Sequence, residues 1–248
     1  MVDESVFEIE RCVEYYEADR HGRLSLPMIV NLAVLASKKQ GDILNIGQAT
    51  TQARGLGWVI LQYDLHVYRR PEVNESIRLQ TTVGHFNPFF AQRSFKILDE
   101  QGEELVNINS LWALIDIEKR HMVRLPLDLV EPYGAVAAKR LNRIPNPSKI
   151  KADETVQEQR YRVRYLDIDA NQHVNNSKYF EWMEDVMGAD FLETHEVTRI
   201  NLKFENEVHL NQTVVSQVVK GDNYSRHRIQ TDNTVSAEAE FEWRSIDQ

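Results

Sequence analysis

From Phe7 to Glu14, in Phe7-Glu8-Ile9-Glu10-Arg11-Cys12-Val13-Glu14, apolar and polar residues alternate for most of the segment. That is the period of a half-buried strand. Beyond Tyr15-Tyr16-Glu17-Ala18-Asp19 the period lengthens. Ile29, Leu32, Ala33, Leu35 and Ala36 recur at helical spacing, with Pro27 near the start, where its fixed φ suits the first turn. Alternation returns at Gly57 and predicts strands over 58–67, 76–83, 92–98 and 106–117. The turn Asp99-Glu100-Gln101-Gly102 precedes the last of these, and Met122 and Val123 close the meander. Between residues 131 and 158 the pattern lapses among Pro132, Gly134, Pro145 and Pro147, which marks a connection between domains. Residues 136–141 admit a short helix there.

The program then restarts. Residues 159–165 read as a strand, 176–191 as a helix, and 199–204, 213–220, 225–231 and 236–243 as strands. Tyr165-x-x-x-Asp169 repeats Tyr15-x-x-x-Asp19 at an offset of 150, and residues 208–214 correspond to 71–77. Two domains are therefore expected, 1–130 and 159–248, joined by a linker over 131–158. In each, one long helix against an antiparallel sheet buries both apolar faces.

Composition agrees with a globular chain. Its 248 residues accommodate two such units, with 42% hydrophobic and 27% charged residues. Met1-Val2-Asp3-Glu4 carries acid where a secretory signal needs basic residues. No apolar run approaches the length of a membrane span. The lone Cys12 cannot form an internal disulfide, which suits a reducing cytoplasm, and it reads as a small core residue. A formal net charge of −9 argues against nucleic acid as a partner. Two local basic clusters stand out against that total: Lys119, Arg120, His121 and Arg124, then Lys139, Arg140 and Arg143. Each is either solvated surface or a dock for an acidic partner.

The densest polar chemistry lies at 165–179, Tyr165-Leu166-Asp167-Ile168-Asp169-Ala170-Asn171-Gln172-His173-Val174-Asn175-Asn176-Ser177-Lys178-Tyr179. A carboxylate, an amide and an imidazole occupy alternate positions, at Asp169, Asn171 and His173. Buried and unpaired, each such group costs roughly 1–3 kcal/mol. The bland reading is a solvated loop whose Asn175 or Asn176 caps a helix through Tyr179, Trp182, Met183 and Met187. The internal repeat and a distant glutamate, Glu207, favour a catalytic one.

Asp167 to Asn176, with Tyr179 and Trp182, resembles the catalytic loop of the acyl-acyl carrier protein thioesterases of plants and bacteria. Leu202-Lys203-Phe204-Glu205-Asn206-Glu207-Val208 resembles that family's second active-site strand. Gly57-Trp58-Val59-Ile60 and Ser110-Leu111-Trp112-Ala113-Leu114-Ile115 extend the likeness into the first half. The resemblance implies an α+β chain of two tandem hot-dog domains, each a long helix wrapped by an antiparallel β-sheet. It implies hydrolysis of fatty acyl-carrier-protein thioesters to free fatty acid, ending fatty acid synthesis, with no cofactor and no metal. The implied partner is an acyl carrier protein bearing a fatty acyl chain. Oligomeric state stays open, a homodimer included.

Under that resemblance Glu207 is the general base, or a direct nucleophile. Asn171 orients water or polarises the carbonyl, His173 donates to the carbonyl or the departing sulfur, and Asp169 orients its neighbours. Backbone N–H groups of Val174 and Asn175 complete an oxyanion site. Some family members carry cysteine where this chain has Val208, so a cysteine nucleophile is not expected unless Cys12 substitutes. In register with Asp169, Asn171 and His173 the first half has Asp19, His21 and Arg23, and Arg70 falls near Glu207. That half is expected to be catalytically silent and to help form the acyl pocket. The alternatives are an acyl-CoA or aryl-CoA hot-dog thioesterase, and a non-catalytic acyl-binding hot-dog protein.

Overall fold

A computed structural model describes residues 6–246; Met1 to Glu4, with their acidic character, lie outside them. Within the described residues the chain forms two compact units, one running to residue 144 without 64–67, the other made of 64–67 with the segment from 145 onward.

In the first unit β1 (Val6–Cys12) leads to α1 (Leu26–Ile43) and the short α2 (Gln48–Ala53). The sheet strands β2 (Leu56–Val67), β3 (Ser76–Phe86), β4 (Phe90–Leu98) and β5 (Glu104–Asp116) follow. Their order is β1-β3-β4-β5-β2. α1 starts at Ser25 with proline in its first turn, and Ile29, Val30, Leu32, Ala33 and Ala36 are buried. This apolar stripe lies against β3 and β1, as the spacing requires. β6 (His121–Met122) pairs with the end of β5. Residues 136–141 are not helical. Val136–Ala137 forms β7, parallel to His85 and Phe86 of β3, and the Ala138 N–H bonds the Phe86 carbonyl. An open sheet position supplied backbone partners that a two-turn helix would have lacked.

Cys12 is exposed, contrary to its reading as a core residue. On β1 the parity places it with Glu8 and Glu10, opposite the face of Phe7 and Ile9.

The second unit repeats the plan with β8 (Gln157–Arg162), α3 (Asn176–Asp185), α4 (Ala189–Thr194), β9 (His195–Phe204), β10 (Thr213–Lys220), β11 (Tyr224–Thr231) and β12 (Thr234–Ser245). Strand order is β9-β12-β11-β10-β8. The helix expected over 176–191 is broken: Gly188 takes φ +84, a left-handed conformation that ends α3 before α4 begins. The strand expected to reach Tyr165 stops at Arg162, and Tyr165–Asp167 forms a 3-10 turn. Tyr179, Phe180, Trp182 and Met183 are the buried face of α3, and the Ser216 hydroxyl of β10 donates to the Trp182 carbonyl at 2.9 Å.

The connecting stretch is divided between the units. Val130 and Tyr133 are buried in the first unit's core and Ile150 is buried in the second. Each unit is a long helical segment against an antiparallel sheet, and together they make a tandem hot-dog chain. Among the described residues no helix is long and apolar enough to cross a membrane.

Candidate active site

The loop between β8 and α3 is fixed first by its main chain. The Asp169 N–H bonds the His173 carbonyl at 2.9 Å, and the Gln172 N–H bonds the Asp169 carbonyl at 3.0 Å. Gln172 stands at φ +70 to close this turn. The Val174 N–H bonds the Val208 carbonyl at 3.0 Å, which brings the segment carrying Glu207 to the loop. The Asn175 side chain accepts from the Ser177 N–H at 3.0 Å and caps α3.

Beneath the loop, Asp167 is buried and accepts the Asn175 N–H through its carbonyl at 2.9 Å. Burial opposes its charge. Hydrogen bonds from the Arg164 side chain and backbone, with the charges of Arg164 and Lys178, outweigh that and hold its carboxyl below the usual range. Tyr179 packs on Trp182 and Phe204. Burial raises its phenol above the ordinary range, opposed by a hydrogen bond with the Val208 backbone.

Three of the four proposed catalytic residues are tied together by this frame, Asn171 through its backbone. Asp169 Oδ1 accepts the Asn171 N–H at 2.8 Å and lies 3.6 Å from His173 Nδ1. Nδ1 also lies 3.2 Å from the Val174 carbonyl. Both neighbours are acceptors, so Nδ1 carries the proton and Nε2 of the neutral ring is an acceptor. His173 therefore donates from Nε2 only as imidazolium. Glu207 is one-third exposed, and its Oε2 lies 3.9 Å from His209 Nε2. His209 escaped the sequence reading. A second imidazole two residues beyond the assigned base was the available signal.

Val174 and Asn175 are not oxyanion donors. Their N–H groups are spent on the Val208 and Asp167 carbonyls. The bonds that shape the loop consume the donors that the helix start was expected to offer.

The first unit carries the same loop with other side chains. Asp19 N–H to the Arg23 carbonyl, Gly22 N–H to the Asp19 carbonyl, Leu24 N–H to the Pro71 carbonyl and Ser25 N–H to the Glu17 carbonyl reproduce the four loop bonds of the second unit. Gly22 takes φ +74 where Gln172 takes +70, and Asn74 takes +67 where Asn211 takes +69. Pairing Pro71 with Val208 puts Arg70 opposite Glu207. Arg70 Nη1 bonds Asp19 Oδ2 at 2.6 Å. Burial works against the Asp19 charge. Arg70 and the N–H groups of Arg23 and His21 outweigh it and lower the carboxyl's pKa. Here the acid is locked in an ion pair.

Two hot-dog units, one with its loop acid neutralised and one with acid, amide and imidazole together, define a double hot-dog thioesterase scaffold. The Acyl-ACP thioesterase N-terminal domain family matches residues 4–133, and the Acyl-ACP thioesterase C-terminal domain family matches residues 150–245. The chain belongs to the acyl-ACP thioesterase family. It is 34% identical to a provisional oleoyl thioesterase from Lactobacillus plantarum, with a TM-score of 0.95 over 100% of this chain and 99% of that one. The fold is shared with the 12:0-ACP thioesterase of Umbellularia californica, 21% identical, TM-score 0.87, covering 99% of this chain and 100% of that one. A chloroplastic acyl-acyl-carrier-protein hydrolase from Cuphea viscosissima is 25% identical over 83% of this chain and 53% of its own length. The chain spans about half the length of the curated relatives it matches.

Proposed function

We propose that the chain hydrolyses the thioester of a fatty acyl group carried on an acyl carrier protein, with Asp169, Asn171, His173 and Glu207 of the second unit as its active site. The observation that carries this reading is the Val174–Val208 backbone bond, which sets the Glu207 segment against a loop already holding Asp169, Asn171 and His173.

Glu207 takes a proton from water as the oxygen bonds to the thioester carbonyl carbon. The Asn171 amide stabilises the carbonyl oxygen as it gains charge. The carbon–sulfur bond then breaks, and the proton gained by Glu207 ends on the departing sulfur. The products are the free acid and the carrier thiol. Asp169 positions the loop and faces His173 Nδ1 at 3.6 Å, and that ring relays the proton. The first unit is read as silent, since Arg70, paired with Asp19, occupies the position that corresponds to Glu207.

Carrier recognition is assigned to the two basic clusters. His121 lies in β6 with Lys119, Arg120 and Arg124 beside it, and Lys139, Arg140 and Arg143 follow β7. All are exposed. β6 pairs with the C-terminal end of β5, β7 with that of β3, and Phe90 pairs with Ala113, so one end of the first unit's sheet carries both clusters. Lys119 is partly neutralised by Asp116 at 3.8 Å.

The test is hydrolysis of one acyl chain presented on carrier protein and on coenzyme A, with Glu207→Gln alongside. The expected result is a preference for the carrier and a loss of roughly 10²–10⁴-fold in kcat for the variant, with an unchanged melting temperature. Retention of most of kcat removes Glu207 as base; equal kcat/KM on both carriers removes the carrier assignment.

A further inference from the structure

Glu207 is not carried by a regular strand. β9 ends at Phe204, and residues 205–212 run as a loop to β10. The near end of that loop is fixed where the Glu205 and Asn206 N–H groups both meet the Ser236 carbonyl, at 2.9 and 3.2 Å. Beyond Glu207 it is fixed at Val208, which is wholly buried. The Val208 carbonyl accepts the Val174 N–H at 3.0 Å. The other half of that peptide position is bonded to the Tyr179 hydroxyl. This bond favours the ionised phenol, so the phenol oxygen accepts and the Val208 N–H donates. Tyr179 is itself buried, and its ring meets Phe204 edge-on with centroids 5.0 Å apart. One side chain of α3 thus holds the segment on both sides of Glu207, Phe204 through the ring and Val208 through the oxygen.

The first unit forms the same loop without this tie. Counting from the helix caps Ser25 and Asn175, Ile29 stands where Tyr179 does, and Pro71 pairs with Leu24 as Val208 pairs with Val174. Isoleucine has no hydroxyl and proline no N–H. Both ends of the bond are therefore missing together, yet the four main-chain loop bonds persist and Ile29 is fully buried. The tie is dispensable for the loop's backbone. It is present in the unit that carries Glu207 and absent from the unit that carries Arg70 in its place. A phenol at a core position also costs more than isoleucine unless its oxygen is used.

We propose that Tyr179 is a positioning residue whose hydroxyl holds the Val208 N–H and so aims the Glu207 carboxylate at the attacking water. This inference rests on the hydrolase reading with Glu207 as base. A general base has to lie within hydrogen-bond reach of the proton it removes, and a displacement of about 1 Å costs on the order of 10²-fold in rate. Without the phenol oxygen the buried Val208 N–H has no acceptor, and the loop shifts to find one.

The test is a double-mutant cycle on the full chain with one carrier-bound acyl substrate. Tyr179→Phe keeps the ring against Phe204 and Trp182 and removes only the oxygen. In the wild-type background it is expected to lower kcat by about 10- to 100-fold with KM within about twofold. In the Glu207→Gln background it should cost less than about twofold more, because the base that it aims is gone. The same loss in both backgrounds means that the tyrosine does not act through Glu207, and overturns the proposal. Ser216→Ala removes a different hydroxyl bond to the same helix, at the Trp182 carbonyl; it should lower the melting temperature and leave kcat unchanged. A matching loss of kcat there would trace the effect to a loosened α3, and also overturns the proposal. If Tyr179→Phe does not fold, Val208→Pro removes the donor instead, at a position where the first unit already carries proline, and the same loss of kcat is expected. Retention of most of kcat by either folded variant, beside an impaired Glu207→Gln, overturns this inference alone. Retention by Glu207→Gln removes the base and this inference with it, so the two failures are read in different variants.

Discussion

Replacing Arg70 with Met separates the force that holds the first loop from the chemistry proposed for the second. The Arg70–Asp19 pair is 2.6 Å long, with side chains only 12% and 24% exposed. Breaking a fully buried pair costs about 3–5 kcal/mol because the surviving charge is stranded. Asp19 is only partly stranded, since its Oδ1 keeps the N–H groups of His21 and Arg23 at 2.8 and 3.1 Å. The expected loss is therefore about 1–3 kcal/mol, a fall in melting temperature of roughly 2–10 °C for a chain of this size.

The pH dependence supplies a second check. The folded Asp19 carboxyl titrates below its unfolded value. Its stabilisation is fully present above the unfolded pKa, near 4, and is lost as pH falls through the folded one. The gap between wild type and Arg70→Met should thus be full at pH 7 and close in acid. Differential scanning calorimetry from pH 7 to 3, beside kcat on one carrier-bound acyl chain, measures both. A variant that melts with wild type yet loses kcat tenfold or more would refute the silent-loop reasoning.

Other expectations are narrower. Asn171→Ala and His173→Ala should each lower kcat by at least about 10²-fold, whereas His21→Ala and Arg23→Ala should change it little; equal losses in folded variants would show both loops at work. His227 is wholly buried, and desolvation drops its pKa to about 3. The unfolded ring protonates near 6.5, so stability should fall by about 1.4 kcal/mol per pH unit between 6.5 and 3; His227→Gln should flatten that stretch of the melting-temperature profile, and an unchanged slope would mean the ring is charged in the fold. Charge reversal at Arg124, Lys139 and Arg140 should lower kcat/KM for carrier substrates, most at low salt, while hydrolysis of a small thioester holds steady; equal loss on both would point to damage elsewhere.

Periodicity located the strands because each sheet face is sharply divided between core and solvent. The 213–220 strand matches β10 end to end, and the others miss by a few residues. What escaped depends on single residues acting through their backbone. Gly188 breaks a pattern that stays apolar through Phe191, and the left-handed turn leaves the hydrophobic spacing untouched. β7 exists because β3 left backbone groups to pair, a fact of topology invisible in Val136 and Ala137. Cys12 was misplaced although its own strand's alternation held the answer. Arg93 was legible in the same way, as a cation in phase with Ala91, Phe95 and Ile97, yet the partners that keep it in the core come from α1 and β3. The loop residues were readable as a group. Which of their donors remain free was not, because Val208 and Asp167 accept through main-chain carbonyls.

The duplicated loop explains why its two copies could diverge so far. Four main-chain bonds, and an aspartate accepting the N–H two residues on, recur in both units. These recurring bonds run between main-chain groups and the carboxylates of Asp19 and Asp169. Asp19 and Asp169 are retained because their carboxylates satisfy loop donors that would otherwise be unpaired. The remaining positions can exchange amide for imidazole, imidazole for guanidinium, or carboxylate for guanidinium without altering the backbone. The exchange at Arg70 decides the outcome: an acid that meets a guanidinium at 2.6 Å is spent on structure, whereas Asp169 faces an imidazole at 3.6 Å whose charge depends on protonation. On the proposed reading, a difference of a few side chains on one backbone makes one unit a support and the other a site.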